Sequence, residues 1–567
     1  VLELKHVGVD IGTGDRPNRL LHDISVRYPA GHFGAIVGPS GCGKSTLLKS
    51  IVGLLETTSG ELTARGKNLG ETDFEPAELG YIPQFSIAYE NLTVRESLWS
   101  ALKLRVSGIS TAEREERLDK ILNQIGLAEI ADRRNKVLSG GQKRRLAMGL
   151  EMATNPAFLF CDEVTSGLDP KSEDEIVHLL HRLSRTDGRI VLSVTHSLRH
   201  LDLYDSVTVL YKGRLAYQGA SSLLLHYFQA PNAEEIFPCL AAREPEEWAA
   251  LWEQNRAQYA TISADEPAPE APPPAPSVRP AGVFTQLGVL LSRRWRLFFR
   301  EGGQLGLQAA LLFIFPAVVT LFALDGIPQT LKENLDPAGT PLEMIERVRE
   351  AAQIGIQNSK TASLVSGLIM FQVVLLTLMG SNNSAREIVS ERLIFEKEKL
   401  GGVHPLAYLG SKIAFLSVLV SAQAVWMTCF VSFVCQLFGE LPMQIAHLWL
   451  VTAAMTSICL AISAWCRTTE QASLISIYLV GFQLPLSGAV LALPDWAGSI
   501  TRPFISAYWS WSGYLEAMKP TEYYSIIRQI TQTPLAEGTF CALVLGIHIL
   551  LGLAAALLGC VRSQKEL

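Results

Sequence analysis

The chain has 567 residues, a net charge of -6 and a mean hydropathy of +0.21. Only 18% of its residues are charged, against about a quarter in soluble domains. The length allows several domains, and the acidic balance leaves no basic footprint for nucleic acid. Charge collects in the first half and long apolar runs in the second, the pattern of a water-facing domain joined to a membrane domain.

The chain opens with VLELKHVGVD, which reads as a strand and not as the apolar core of a signal peptide. The N-terminal domain is therefore expected in the cytoplasm. Up to about residue 230, strand-like runs alternate with amphipathic helical runs; GAIVG (34–38), AFLFCDE (157–163) and RIVLSVTH (189–196) read as buried strands. That alternation predicts an α/β domain with a mostly parallel central sheet. A mixed helical segment containing PEEWAALWEQ carries this domain to residue 264.

GPSGCGKST, from Gly38 to Thr46, fits G-x-x-x-x-G-K-[ST] between a strand and a helical run. The residues expected around nucleotide phosphates are Gly38, Ser40, Gly41, Cys42, Gly43, Lys44, Ser45 and Thr46. The glycines let backbone N–H groups turn inward, and the helix N-terminus favours negative charge. Lys44 is expected to reach the β- and γ-phosphates of ATP, and Ser45 to ligate Mg²⁺. Further on, AFLFCDE ends in two acids. Asp162 is suited to meet the metal through water, and Glu163 to orient or deprotonate the attacking water.

LSGGQKRR (138–145) resembles the signature of the ATP-binding cassette family. The resemblance implies that Ser139, Gly140 and Gly141 receive the γ-phosphate of a partner subunit's nucleotide, at a helix start suited to it. It also implies that Gln84, in GYIPQ, contacts the metal and water. Asp169, in SGLD, would lie at a dimer seam, and His196, after VTH, would contact the γ-phosphate. Catalysis is thus assigned to Glu163, His196 and Gln84, and the metal to Ser45, Gln84 and Asp162. The family often stacks an aromatic residue on adenine. Residues 10–21 have none, and Arg16 or Arg19 would stack instead.

A run of proline and alanine, DEPAPEAPPPAPSVRPAG (265–282), reads as an interdomain linker. Residues 285–303 carry Leu287, Leu291, Trp295 and Phe298 on one helical face, with Arg293, Arg294, Arg296 and Arg300 among them. This predicts a helix lying at the membrane interface. Six spans are expected near 305–324, 362–381, 412–437, 447–466, 472–491 and 540–560, with no Asp, Glu, Lys or Arg in their interiors. An even number of crossings returns the C-terminus to the side of the N-terminus. The nine cysteines form no CxxC pair, so neither a structural disulfide nor a structural metal is expected.

An ATPase followed by six spans resembles the G-type half-transporters, exporters of sterols, pigments and drugs. The fold implied is an α/β ATP-binding cassette domain (1–264) followed by an all-α six-helix transmembrane domain (283–567). SAREIVSERLIFEKEKLGGVHPLAYLGSKI (384–413) looks like the cytoplasmic hairpin through which that subfamily receives force near the Q-loop. Glu387, Glu391, Arg392, Glu396, Lys397, Glu398 and Lys399 supply its charges. The resemblance implies a dimer: a second copy as a homodimer, with a related half-transporter open as the alternative. It also implies export of a lipid, sterol-like or drug-like substrate. By position, Leu484 and Leu486 would plug the cavity and Phe371 and Phe482 would line it.

Residues 492–539 hold no cysteine, and neither large outer segment holds an N-x-[ST] site. Both absences favour a bacterial cytoplasmic membrane, with the ATPase domain and both termini in the cytoplasm. The outer segment 325–361 is long for the subfamily, and 341–357 has helical periodicity. It reads either as an extra outer helix or as an extension of the second span. Two rival functions are an exporter of polysaccharide-linked lipid or an importer, and a mechanical or signalling device that moves no substrate.

Overall fold

The structure is a computed structural model describing residues 1–12, 18–84, 88–186, 188–260, 279–324, 326–328, 341–437, 439–489 and 493–562. The chain divides into two compact units. One is built from residues 1–289 with Leu393–His404, the other from Leu290–Arg392 with 405–562.

The first unit holds two sheets. An antiparallel sheet has the order β2-β1-β4-β5, from β1 (Leu2–Ile11), β2 (Asn18–Tyr28), β4 (Ser59–Ala64) and β5 (Lys67–Asn68). The central sheet has the order β10-β9-β3-β8-β7-β6. It uses β3 (Phe33–Val37), β6 (Leu79–Ile82), β7 (Phe158–Asp162), β8 (Ile190–Val194), β9 (Ser206–Tyr211) and β10 (Arg214–Gly219). All its pairings are parallel except β9 with β10. Every residue of β3, β7 and β8 is buried, which is why these strands read as unbroken apolar runs: a parallel sheet is covered on both faces.

Helices of this unit are α1 (Lys44–Val52), α2 (Val94–Arg105), α3 (Thr111–Gln124), α4 (Gly140–Glu151), α5 (Pro170–Ser184), α6 (Ser221–Phe228), α7 (Ile236–Ala241) and α8 (Pro245–Tyr259). Local chemistry sets their starts. Thr93, Ser110 and Ser139 form capping boxes with Glu96, Glu113 and Gln142, and Asp169 caps α5 ahead of Pro170. The proposed linker at 265–282 lies outside the described residues as far as 278. Beyond it the Ser107 N–H donates to the Arg279 carbonyl at 3.0 Å, and the Ala281 N–H to that of Leu104 at 3.1 Å.

Helix α9 (Val283–Arg300) opens the second part of the chain. From Leu290 onward its buried face is Leu290, Arg293, Arg294, Leu297 and Phe298. The expected face of Leu287, Leu291 and Trp295 is only half-buried. Two arginines are thus inside and not spread along a membrane surface. Arg294 is compensated by Glu387, at 2.5 and 2.8 Å, and its guanidinium lies 4.3 Å from the Phe415 ring centroid.

Among the described residues, helices α10 (Gly302–Leu321), α11 (Pro341–Ser384), α13 (Pro405–Cys435), α14 (Leu441–Trp465) and α19 (Gly538–Val561) account for five stretches long and apolar enough to cross a membrane. Segment 472–491, expected as a sixth span, contributes α15 (Thr469–Leu486), 18 residues with Pro485 inside its last turn. It is not among those five. Three shorter helices, α16 (Asp495–Thr501), α17 (Ser506–Glu516) and α18 (Glu522–Ile530), precede α19. Helix α14 packs against α11, α13, α17 and α19. Its approach to α19 needs small residues: a Cβ on Gly552 would lie 2.6 Å from Ser457 Oγ, and one on Gly559 2.8 Å from Ala464 Cβ.

The charged stretch 384–413 is split between the units. Helix α12 (Arg392–Leu400) and its continuation to His404 fold with the first unit from Leu393 onward. Glu387 and Glu391 stay in the second, where Lys412 Nζ lies 3.1 Å from one and 2.6 Å from the other. Arg392 donates to the carbonyls of Ser463 and Ala464.

Candidate active site

The phosphate-loop, acidic and histidine motifs all fall at the C-terminal ends of neighbouring parallel strands. Gly38 follows β3, Gln84 follows β6, Asp162 ends β7 and His196 follows β8. In an open α/β sheet this edge is where ligands bind.

The loop from Gly38 to Gly43 turns on three glycines, with φ of 153°, 77° and 101° at Gly38, Gly41 and Gly43. At Gly38 a Cβ would lie 2.3 Å from the Leu210 carbonyl oxygen, so both conformation and space demand glycine. Ser40 and Gly41 are exposed, Cys42 and Lys44 are buried, and Ser45 and Thr46 are half-buried at the start of α1. The Lys44 ammonium donates to the carbonyls of Gly38 and Pro39 at 2.9 and 3.0 Å. It is therefore held inside the loop, beside the N–H groups a phosphate would meet.

Ser45 Oγ donates to Asp162 Oδ1 at 2.8 Å. Burial raises the Asp162 carboxyl above the usual aspartate value; the Ser45 hydrogen bond opposes this, and the Glu163 charge adds to it. A hydroxyl and a carboxylate already paired, with a desolvated carboxylate that gains from a nearby cation, fit a hard divalent ion such as Mg²⁺.

Glu163 is held from two sides. Gln84 Nε2 donates to Glu163 Oε2 at 2.8 Å, and His196 Nε2 lies 2.5 Å from Glu163 Oε1. The Glu163 backbone is left-handed, with φ 48°, and its N–H donates to the Val194 carbonyl at 3.1 Å. These bonds aim the side chain across the strand ends.

The structure thus brings Gln84, Glu163 and His196 into one cluster, and Ser45 and Asp162 into another beside it. A second grouping holds Ser139, Gly140, Gly141 and Asp169. Ser139 Oγ accepts from the Gln142 N–H at 3.3 Å, and Asp169 accepts from the Ser172 N–H and hydroxyl at 3.0 and 2.7 Å. A Cβ on Gly141 would lie 2.9 Å from Ser172 Oγ, so α4 and α5 start almost in contact. Ser139 and Gly140 are exposed. Among the described residues no hydrogen bond or ion pair joins this grouping to residues 38–46. Of the two arginines considered for adenine, Arg16 lies outside the described residues, and Arg19 sits 3.6 Å from Asp10.

The four candidate substrate residues separate into two pairs. Phe371 and Leu486 pack against the core of the second unit, and Phe371 meets the Phe322 ring edge-on at 5.7 Å between centroids. Phe482 and Leu484 point outward, 57% and 38% exposed.

Sequence reading missed a buried charge triad in the first unit. Arg105 Nη1 donates to Glu151 Oε2 at 2.8 Å, and Lys397 Nζ lies 2.9 Å from Glu151 Oε1. All three are buried. Leu400 packs on the same core, and Gln286 bonds the Gly402 carbonyl and the His404 N–H at 2.9 Å each. Segment Leu393–His404 therefore meets the far ends of α2 and α4. Helix α4 is the one that begins at the Ser139 cap. No local pattern could announce the triad, because its members lie 46 or more residues apart.

Residues 21–166 match the ABC transporter family, and residues 285–519 match the ABC-2 type transporter family. The chain is similar to the ABC transporter ATP-binding/permease protein Rv1747 of Mycobacterium tuberculosis, 29% identical over 87% of this chain and 55% of that protein. It is also similar to ABC transporter G family member STR2 of Petunia hybrida, 33% identical over 35% of this chain and 29% of that protein. The chain spans about half, or less, of the length of these curated relatives. Among solved structures it resembles the ATP-binding cassette MJ0796, determined as a dimer bound to ADP and phosphate. That match has a TM-score of 0.36 and 28% identity, over 39% of this chain and 99% of the other.

Proposed function

The chain belongs to the ABC transporters, joining a cassette ATPase domain to an ABC-2 type membrane domain, and from this we propose that it is a half-transporter that dimerises and hydrolyses ATP to export an apolar or amphipathic substrate. The observation that carries the ATPase reading is the grip of Gln84 and His196 on Glu163, one residue beyond the Asp162 bonded to Ser45.

Lys44 exchanges the Gly38 and Pro39 carbonyls for the β- and γ-phosphate oxygens of ATP. Ser45, Asp162 and Gln84 would hold Mg²⁺, which would neutralise charge on those oxygens when bound. Glu163 orients the attacking water and accepts its proton. His196 holds the Glu163 carboxylate and, with ATP bound, would turn to contact the γ-phosphate. Ser139 and Gly140 sit exposed at the start of α4, with Gly141 buried behind them, where the helix N-terminus would meet a phosphate bound by a second chain. Asp169 lies beside them at the same seam. Two such chains enclose two nucleotides.

Segment Leu393–His404 carries the consequence of closure to the membrane helices on either side of it in the chain. The apolar spans support a lipid-like, sterol-like or drug-like cargo, since no charged pathway runs through their interiors. Phe371, Phe482, Leu484 and Leu486 are the residues we assign to its route. The ATPase domain lies in the cytoplasm of a bacterial cell.

Glu163→Gln tests the engine. Purified full-length protein should still bind ATP, while hydrolysis falls at least about 100-fold, the usual scale for loss of a general base. Wild-type turnover in this variant would remove Glu163 from the mechanism. Uptake of fluorescent lipid into inverted vesicles, dependent on external ATP, tests export. ATP hydrolysis that no lipid or drug alters, with no uptake, would favour a device that moves no substrate.

A further inference from the structure

The N-terminal half of α11 has no part in the function proposed above. At about 1.5 Å per residue, a helix of 44 residues measures about 66 Å, and a bilayer core takes about 30 Å of it. The apolar run lies in the C-terminal half, so roughly 20 residues stand outside the hydrocarbon. Glu346, Arg349, Glu350 and Lys360 are exposed on that stretch. Water surrounds it, and acyl chains do not.

In that water stand Ile345, Val348 and Ile356, 68%, 63% and 59% exposed. At about 100° per residue, these three and Ala352 fall on one stripe. The stripe keeps its phase into the span through Ser363 and Gly367, both exposed. A Cβ on Gly367 would meet nothing within 4 Å. Among the described residues, helices α10, α13, α14, α15, α17 and α18 pack on α11, and the residues of this stripe stay exposed.

We propose that the stripe is where α11 meets α11 of a second copy, the two running parallel and continuing as an outer helix pair beyond the bilayer. The proposal rests on the dimer argued above and adds where its outer parts touch. Lipid cannot cover the outer part of the stripe, given the charges around it. A two-fold axis along the membrane normal brings the same helix beside itself, and Ala352, Ser363 and Gly367 let the backbones approach. Charge placement agrees. Arg349 lies at the stripe's edge, on the azimuth of Gly367, and Lys360 just beyond it, whereas Ala351 and Gly355 lie on the other flank. Two-fold symmetry sets the basic flank of each helix against the uncharged flank of its mate, so like charges do not meet.

The test is cysteine cross-linking of the full chain in lipid nanodiscs. Ile345→Cys and Ile356→Cys sit on the stripe, and Glu350→Cys lies on the far side of the helix. The parent chain, with its nine cysteines, sets the background. Copper-phenanthroline oxidation should give severalfold more covalent dimer at the two stripe positions than at Glu350→Cys or in the parent. Light scattering on the unoxidised nanodiscs reports the copy number independently. A dimer by mass without stripe-selective cross-linking overturns the helix pair and leaves the dimer standing. A monomer by mass overturns both.

Discussion

Glu163 holds a left-handed backbone, φ 48°, a conformation that costs an L-residue about 1–2 kcal/mol. Its N–H bond to Val194 and its side-chain bonds to Gln84 and His196 hold it there. Gly38 poses the opposite problem. Its φ of 153° and a Cβ position 2.3 Å from the Leu210 carbonyl leave no room for any side chain. Gly38→Ala should therefore cost about 2 kcal/mol or more and distort the phosphate loop. A lower thermal midpoint together with weakened ATP binding is the expected result. An unchanged melting curve would show that the loop can relax around the methyl group.

Helix α4 joins two sites by being rigid. It starts at the Ser139 cap and ends at Glu151, where Arg105 and Lys397 converge. Removing Glu151 takes the carboxylate from between two buried cations, so Glu151→Ala should destabilise by about 3–5 kcal/mol. Lys397→Glu should release segment Leu393–His404, seen as faster amide exchange there, with ATPase activity no longer responding to substrate. The swapped pair Glu151→Lys with Lys397→Glu leaves Arg105 beside a new lysine and should restore exchange protection only in part. Full protection in Lys397→Glu alone would show that packing of Leu400 and the Gln286 bonds suffice. The pH behaviour has a definite sign. Burial opposes the Glu151 charge, yet Arg105 and then Lys397 outweigh it and hold its carboxyl below the usual glutamate value. A depressed carboxylate contributes stability that is present above the unfolded value of about 4.3 and is lost as pH falls through the folded one. Exchange protection of Leu393–His404 should therefore not change between about pH 6 and 8.

At the scale of the whole molecule, the proposed dimer would share each nucleotide site between chains, residues 38–46 of one facing Ser139–Gly141 of the other. Mixed dimers decide this. A Lys44→Ala chain paired with a Ser139→Arg chain leaves one complete site, made of the intact loop of one chain and the intact signature of the other. A chain carrying both substitutions, paired with wild type, leaves none. Hydrolysis in the first mixture and its absence in the second is the expected pattern, read with tandem-tagged, isolated heterodimers. The reverse pattern would place both motifs at one site within a single chain.

The proposed ATP site is legible in the sequence because each of its parts is local. Gly38–Thr46, Asp162–Glu163 and Ser139–Gly141 are short runs whose spacing is set by one turn, one strand end or one helix start. The apolar spans were legible because lipid demands about 20 apolar residues wherever it is crossed. What the sequence determined by itself was therefore the chemistry available and the order of the parts. Only the tertiary structure decided which charges meet. Glu387 went to Arg294 and Lys412, and Lys397 went to Glu151 and Arg105, although the stretch 384–413 reads as one charged hairpin. It also turned the apolar face of α9, so that two arginines are buried, and carried the periodic outer segment into α11 as one continuous helix. These outcomes depend on pairings across dozens of residues. A buried charge takes the partner that the fold brings beside it, and local spacing carries no record of that choice.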